Sequence, residues 1–159
     1  HLGLEAFANI NNENELLDRK LQERGYPLDS PLTGTYTLEP RMGELVRSAL
    51  KKNYQLFAYE RSEKIKGMDR DEILADNLIK YLSNHPEAKF IILCGFHHAI
   101  ESNELKYGKT KWMAKHLKDK TGIDPLTIAN LGSVVGKNSS INVFCFRILL
   151  DKSMSIHSN

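Results

Sequence analysis

The chain has 159 residues, of which 41% are hydrophobic and 26% are charged, a composition typical of one soluble globular domain. The 22 basic and 20 acidic residues are interspersed and leave a net charge of +2, which argues against a nucleic-acid partner. No apolar run approaches the ~18 residues that a membrane-spanning helix needs. No signal peptide is recognised in this chain either, and the compartment is left open.

The first third of the chain predicts a strand, a helix and a long loop. HLGLEAF, residues 1–7, is an apolar run at the very start, which predicts that the sequence is a piece of a longer protein. A helix is predicted to follow, with asparagine caps at 11–12, an end near Arg24 and Gly25 after its last turn. Residues 26–38 hold two prolines and no helical period, so they are expected to form a long loop of the kind that is often functional or mobile.

A second helix and a second strand are predicted next. Pro40 stands at a favoured first helical position, and the helical pattern continues to Asn53. Its apolar residues, spaced for burial, are Met42, Leu45, Val46, Ala49 and Leu50. YQLFAYE, residues 54–60, is predicted to be the strand that follows.

The central part of the chain gives the clearest pattern. Asp69 is predicted to start a helix that stops before Pro86, with an apolar face formed by Ile73, Leu74, Leu78 and Leu82. Phe90–Cys94 is an unbroken apolar run, which is typical of a strand buried on both faces of a parallel sheet. His97 and His98 follow at its carboxyl end, where ligands bind in open α/β sheets. Adjacent side chains of an extended chain point in opposite directions, so one of the two histidines is expected to lie outside the site.

The last third predicts one more helix and two strands. The helix is expected to begin at Thr110 and to end at Gly122, and its predicted inward side chains are Trp112, Met113, Ala114 and Leu117. The strands are expected within 125–131 and 141–150, joined by a turn-rich segment that favours an antiparallel hairpin. Cys94 and Cys145 both lie in strand-like runs and are interpreted as buried thiols rather than as a disulfide or metal pair.

These elements predict an α/β fold, because helices and strands alternate through most of the chain. We expect a layered, largely parallel sheet flanked by helices, with an antiparallel hairpin at its C-terminal end. A single domain is predicted over residues 1–150, followed by a frayed tail over 151–159.

Three of the predicted strands end in reactive side chains: Glu5, Glu60 and His98. If these strands are parallel neighbours, all three side chains fall at one edge of the sheet. A carboxylate inside an apolar strand costs several kcal/mol unless it is paired, so a functional group of residues is expected. His98 can act as general base on water with a carboxylate to orient it.

The same three residues, Glu5, Glu60 and His98, are also competent ligands for a divalent metal. Arg70 opens the helix between the last two of these strands and could pair with Glu60 or with a substrate anion. Asp71, beside it, complements the helix dipole, and we interpret it as structural.

The order of these motifs resembles that of the erythromycin-esterase-like proteins. RDEILADNLIKYLSNHPEAKFIILCGFHHAIE is similar to their Arg-Asp pair, Ala-x-Asn helix, Pro-x-Ala-Lys turn and glycine-histidine strand end. The matching positions are Arg70, Asp71, Ala75, Asn77, Pro86, Ala88, Lys89, Gly95 and His98. KWMAKHLKDKTGID resembles the helix that follows in the family, and LGLEA resembles its strand with an embedded glutamate, at Glu5.

The Gly-x-x-His spacing of residues 95–98 also resembles the wider superfamily, which includes haem-uptake proteins of the ChaN type and Tiki-type metalloproteases. The resemblance implies a hydrolase acting on a small-molecule or peptide substrate, with His98 as base or metal ligand, Glu5 and Glu60 as orienting or ligand carboxylates, and Arg70 as charge stabiliser. The alternative that it implies is a binding protein in which His97 or His98 ligates haem or a metal. A Gly-Glu-x-His element of the family is not found in the sequence, and a third reading is a domain that acts through protein contacts.

Overall fold

The computed structural model describes residues 1–8, 14–28, 30, 33–60, 67, 69–103, 111–129 and 143–148. These residues fall into two compact units, His1–Met68 and Asp69–Asn159. The predicted tail, the turn-rich segment between the last two strands and the asparagine caps at 11–12 lie outside the described residues. The prediction of one domain over residues 1–150 stays a prediction.

The first unit pairs two parallel strands and carries two helices. Its elements are β1 (Leu2–Ala8), α1 (Asn14–Arg24), a first 3-10 turn (Thr35–Leu38), α2 (Pro40–Lys51) and β2 (Leu56–Glu60). The two strands are in register from Leu2 opposite Leu56 to Leu4 opposite Ala58. The register then shifts, so that Ala8 lies opposite Glu60. β1 therefore has an irregular stretch at its carboxyl end.

Side chains of α1 bind backbone groups of β2. Asn14 Oδ1 accepts a hydrogen bond from the Ala58 N–H at 2.8 Å, and Asp18 Oδ1 accepts one from the Leu56 N–H at 2.9 Å. Four residues of a helix rise about 6 Å and two residues of a strand about 6.6 Å, so the two spacings match. The helix thereby covers one edge of the strand and satisfies donors that would otherwise invite pairing with another chain.

The loop before α2 is ordered against β1. Thr33 and Thr37 are both buried, and the Thr37 hydroxyl donates to the Gly34 carbonyl at 3.0 Å. Gly34 has a φ of 63°, and a Cβ there would lie 2.6 Å from the Ala6 carbonyl oxygen. The segment that was expected to lack helical structure thus contains the first 3-10 turn and packs by close backbone approach.

The burial predicted for α2 is wrong at Leu45 and only partial at Met42, which is half-buried. Val46, Ala49 and Leu50 are buried, but Leu45 is 37% exposed. Gly43 takes the buried place instead, because it lies close to the Thr37 carbonyl of the first 3-10 turn. The tight approach rotates the buried stripe of the helix away from Leu45.

The second unit contains α3 (Arg70–Asn84), β3 (Phe90–Gly95), a second 3-10 turn (Phe96–Ala99), α4 (Met113–Thr121), β4 (Leu126–Ala129) and β5 (Val143–Ile148). β3 and β5 pair antiparallel, with Phe90 opposite Ile148 and Gly95 opposite Val143. β4 and β5 also pair antiparallel, with Leu126 opposite Arg147. Strands and helices alternate from β1 to β4, and the α/β class is confirmed.

The two elements with the strongest pattern follow the sequence closely. The four apolar residues predicted for the buried face of α3 are all buried, and Asp69 caps the helix by accepting from the Asp71 N–H at 3.0 Å. In β3 the residues Phe90, Ile92, Leu93 and Cys94 are buried.

α4 begins at Met113, so Trp112 is its N-cap rather than a residue inside the helix, and Gly122 closes it with a φ of 72°. Within the described residues, no helix combines the length and the apolar character needed to cross a membrane.

Candidate functional site

A hydrogen bond between two buried side chains of the second unit joins His98 and Asp71. His98 lies in the 3-10 turn directly after β3, and Asp71 lies in the first turn of α3. The His98 Nδ1 is 2.6 Å from the Asp71 Oδ1. Only 8% of His98 and 2% of Asp71 are exposed. Burial removes competing water, so this hydrogen bond fixes the plane of the imidazole ring.

One backbone N–H and the His98 side chain hold the Asp71 carboxylate in place. The Met113 N–H, at the start of α4, donates to the Asp71 Oδ1 at 2.9 Å. The Asp71 N–H is in turn fixed by the Asp69 side chain. A buried carboxylate is costly unless it accepts hydrogen bonds, and one oxygen here accepts two. The position of Asp71 thus depends on α3, on α4 and on the second 3-10 turn, which carries His98.

The contact with Arg70 favours one tautomer of a neutral His98. The Arg70 guanidinium nitrogen is 3.2 Å from the His98 Nε2. A guanidinium only donates hydrogen bonds, so Nε2 is the acceptor in this contact. The proton of a neutral imidazole then lies on Nδ1 and is donated to Asp71. The contacts fit one tautomer, with the lone pair of Nε2 directed at Arg70.

Both adjacent histidines contact the same tryptophan, contrary to the expectation for an extended chain. The His97 ring stacks on Trp112 with centroids 5.0 Å apart, and the His98 ring meets Trp112 edge-on at 6.1 Å. The second 3-10 turn explains the difference, because it ends the extended conformation at Gly95. Phe96 adds an edge contact to His97 at 5.4 Å. His98 is therefore bordered by a small aromatic cluster of Phe96, His97 and Trp112.

The structure brings together two of the four residues predicted to be catalytic, His98 and Arg70. Glu5 lies in the irregular stretch of β1, and Glu60 ends β2 opposite Ala8. Both are half-buried and belong to the first unit. Their grouping with His98 stays a prediction.

Asp71 is a candidate site residue that the sequence did not single out. The sequence assigned it to the helix dipole, and the structure adds the hydrogen bond that its Oδ1 accepts from the His98 Nδ1. The available signal was a surplus of acids at the helix start: Asp69 already caps the helix, so Asp71 was not needed for that purpose.

The described side chains give little support to a binding site for a metal or haem. Within the ranges that the structure describes, no three His, Cys, Asp or Glu side chains form a group that could hold a metal ion. The assignment of Glu5, Glu60 and His98 as metal ligands gains no support from this finding. Ligation of haem iron by His98 would use Nε2, the atom that Arg70 now contacts.

Comparison with known proteins adds no relative. No protein-family model matches the chain, and neither a curated protein nor a solved structure matches it. The resemblance to the erythromycin-esterase-like proteins rests on the residues of this chain alone.

Proposed function

We propose that the protein is a hydrolase of the erythromycin-esterase-like superfamily, in which His98 activates water and Asp71 orients the imidazole. The observation that carries the proposal is the 2.6 Å hydrogen bond between two buried side chains, His98 and Asp71. A carboxylate on Nδ1 holds the ring in the tautomer whose Nε2 can accept a proton. Any buried imidazole N–H needs a hydrogen-bond acceptor, and a carboxylate in that position is the arrangement that suits a histidine base.

The contacts suggest a simple sequence of proton transfers. The His98 Nε2 takes a proton from water while the water oxygen bonds to the carbonyl carbon of an ester. The charge of Asp71 stabilises the imidazolium that forms. As the bond to the leaving oxygen breaks, the imidazolium returns its proton to that oxygen, giving an acid and an alcohol. Arg70 supplies positive charge next to the reacting group.

The resemblance supports this proposal through the position of its motifs. The Arg70–Asp71 pair and His98 lie on different elements, and Asp71 and His98 are 27 positions apart in the sequence. In the fold they are in direct contact. Glu5 and Glu60 are proposed as further carboxylates of the site, and the substrate as a small molecule or a peptide.

Replacement of His98 is the direct test. We expect His98→Gln to lower kcat by about a hundredfold or more on the best substrate from a panel of esters and lactones, the usual contribution of a general base. His85→Gln is the matched control, because His85 lies at the far end of α3 and bonds the Tyr81 carbonyl. Circular dichroism shows whether both variants remain folded. A folded His98→Gln variant with full activity would refute the proposal.

One observation favours a second candidate, a haem- or metal-binding protein of the ChaN type. A carboxylate on Nδ1 is also the usual partner of a histidine that ligates a metal through Nε2. On this reading His97 or His98 is the ligand and no bond is broken. A Soret band on titration with haem, lost in the histidine variants, would favour binding over hydrolysis.

A further inference from the structure

Arg70 is an exposed residue whose guanidinium contacts His98, the proposed base. His98 and Asp71 are buried, whereas Arg70 is exposed. Its guanidinium donates to the Nε2 lone pair, which is the lone pair that the proposed base needs. Water cannot give its proton to Nε2 while this hydrogen bond is in place.

We propose that Arg70 is a latch released by a carboxylate that the substrate itself carries, an inference that rests on the proposed function. A guanidinium binds a carboxylate through two parallel, charge-assisted hydrogen bonds, which are stronger than one bond to a neutral nitrogen. An anionic substrate therefore competes successfully for Arg70. The N–H that points at Nε2 then donates to the carboxylate, and the lone pair of Nε2 becomes available to water.

The other contacts of His98 keep the ring in place when Arg70 moves. Asp71 holds Nδ1 at 2.6 Å, and Trp112 packs edge-on against the ring. Asp71 is itself fixed by the Met113 N–H. Arg70 is thus the exposed partner of the contact, and the imidazole is the buried one.

The length of the contact limits the substrate. The Arg70 nitrogen and Nε2 are 3.2 Å apart, so a carboxylate on Arg70 and a water on Nε2 are neighbours. The scissile carbonyl that this water attacks must lie within a few bonds of the carboxylate. The substrate class is thus a short ester that carries a carboxylate close to the scissile carbonyl.

Two esters of the same shape test the latch. Monoethyl succinate carries the carboxylate, and ethyl succinamate replaces it with a neutral amide. We expect the wild type to favour the anionic ester in kcat/KM by about tenfold or more, as a charge-assisted pair provides. Arg70→Gln should reduce that ratio to near one. The ratio cancels any effect of Arg70 on the transition state that both esters share.

Matched variants separate the latch from the chemistry. Arg47→Gln removes another partly exposed arginine, which pairs with Glu44 in the first unit, and should leave the ratio of the wild type. His98→Gln should slow both esters alike. An unchanged ratio in Arg70→Gln would overturn the latch while leaving the hydrolase proposal intact.

If neither ester is hydrolysed, a binding measurement tests whether a carboxylate draws Arg70 away from the His98 Nε2. The ¹⁵N resonance of the His98 Nε2 reports whether a donor occupies its lone pair. Addition of succinate should shift this resonance in the wild type and leave it unchanged in Arg70→Gln. Absence of a shift in the wild type would overturn the latch, whereas a shift that Arg70→Gln abolishes would support the anion site even if neither ester is hydrolysed.

Discussion

Asp71 combines a structural role with a role in orienting His98, because one oxygen accepts from both His98 and Met113. We predict that Asp71→Asn lowers kcat by about a hundredfold or more, since a neutral amide does not stabilise the imidazolium. The lost charge on two buried hydrogen bonds should cost about 1–3 kcal/mol of unfolding free energy. Steady-state kinetics and urea unfolding measure the two effects. Asp76→Asn, on the exposed part of the same helix, should leave kcat unchanged.

A second acid of α3 makes a pH-dependent contribution to stability. Lys120 donates a hydrogen bond to Glu72 at 2.9 Å, and this bond, with the lysine charge, lowers the pKa of the Glu72 carboxyl although burial opposes the change. A lowered pKa in the folded state adds stability above the pKa of the unfolded chain and loses it as the pH falls through the folded value.

We therefore predict that Glu72→Gln is less stable than the wild type at neutral pH and equally stable in acid. The Glu72 side chain is 38% exposed, so solvent screens the pair and the difference should be about 0.2–1 kcal/mol. Urea unfolding across a pH series measures it. A difference that persists in acid would assign the effect to something other than the carboxylate charge.

The sequence identified the candidate base but not its partner, for a physical reason. His98 and Arg70 stand next to strand and helix boundaries that local patterns reveal. Asp71 stands in a helix first turn, where an acid is common because of the helix dipole. Its burial depends on α4 and on the second 3-10 turn, which are distant from it in the sequence. A tertiary contact of this kind leaves no local pattern.

Among the elements, the loop before α2 comes close to the backbone of β1 at Gly34. We predict that Gly34→Ala is more destabilising than Gly25→Ala. Both glycines have a positive φ, which costs an alanine about 1–2 kcal/mol, but only at Gly34 would the added Cβ meet the Ala6 carbonyl, at 2.6 Å. The extra cost should be about 1–3 kcal/mol, as for other overpacked sites.

Thermal or urea unfolding of the two glycine variants measures the difference. Gly25 serves as the control because a Cβ there has nothing within 4 Å. Equal destabilisation would mean that the loop can move away from β1 at little cost, and that its close approach to Ala6 does not hold it in place.

Elements with a long apolar period were predicted well, and those set by packing were not. The buried face of α3 and the buried run of β3 follow directly from the spacing of their apolar residues. Leu45 fits the same period in α2 yet is exposed, because the close contact at Gly43 decides which face of that helix is buried. The first 3-10 turn is likewise stabilised by backbone approach and threonine hydroxyls, which periodicity does not register.

At the scale of the whole molecule, the balance of charge bears on how an anionic substrate reaches Arg70. The net charge is only +2, so the long-range field of the protein is weak and steering contributes little to association. If the latch operates, its attraction is local. Direct contact with a carboxylate occurs within the screening length of the solution even at high salt.

We predict a weak salt dependence for the anionic ester. Raising the salt from about 0.01 M to about 1 M shortens the Debye length from ~30 Å to ~3 Å. The kcat/KM for monoethyl succinate, divided by that for ethyl succinamate, should fall by less than about tenfold, the lower limit of what steering supplies. A steeper fall that Arg70→Gln shares would assign the preference to a diffuse positive surface. A fall confined to the wild type would place the attraction at Arg70 itself, because that guanidinium is the difference between the two proteins.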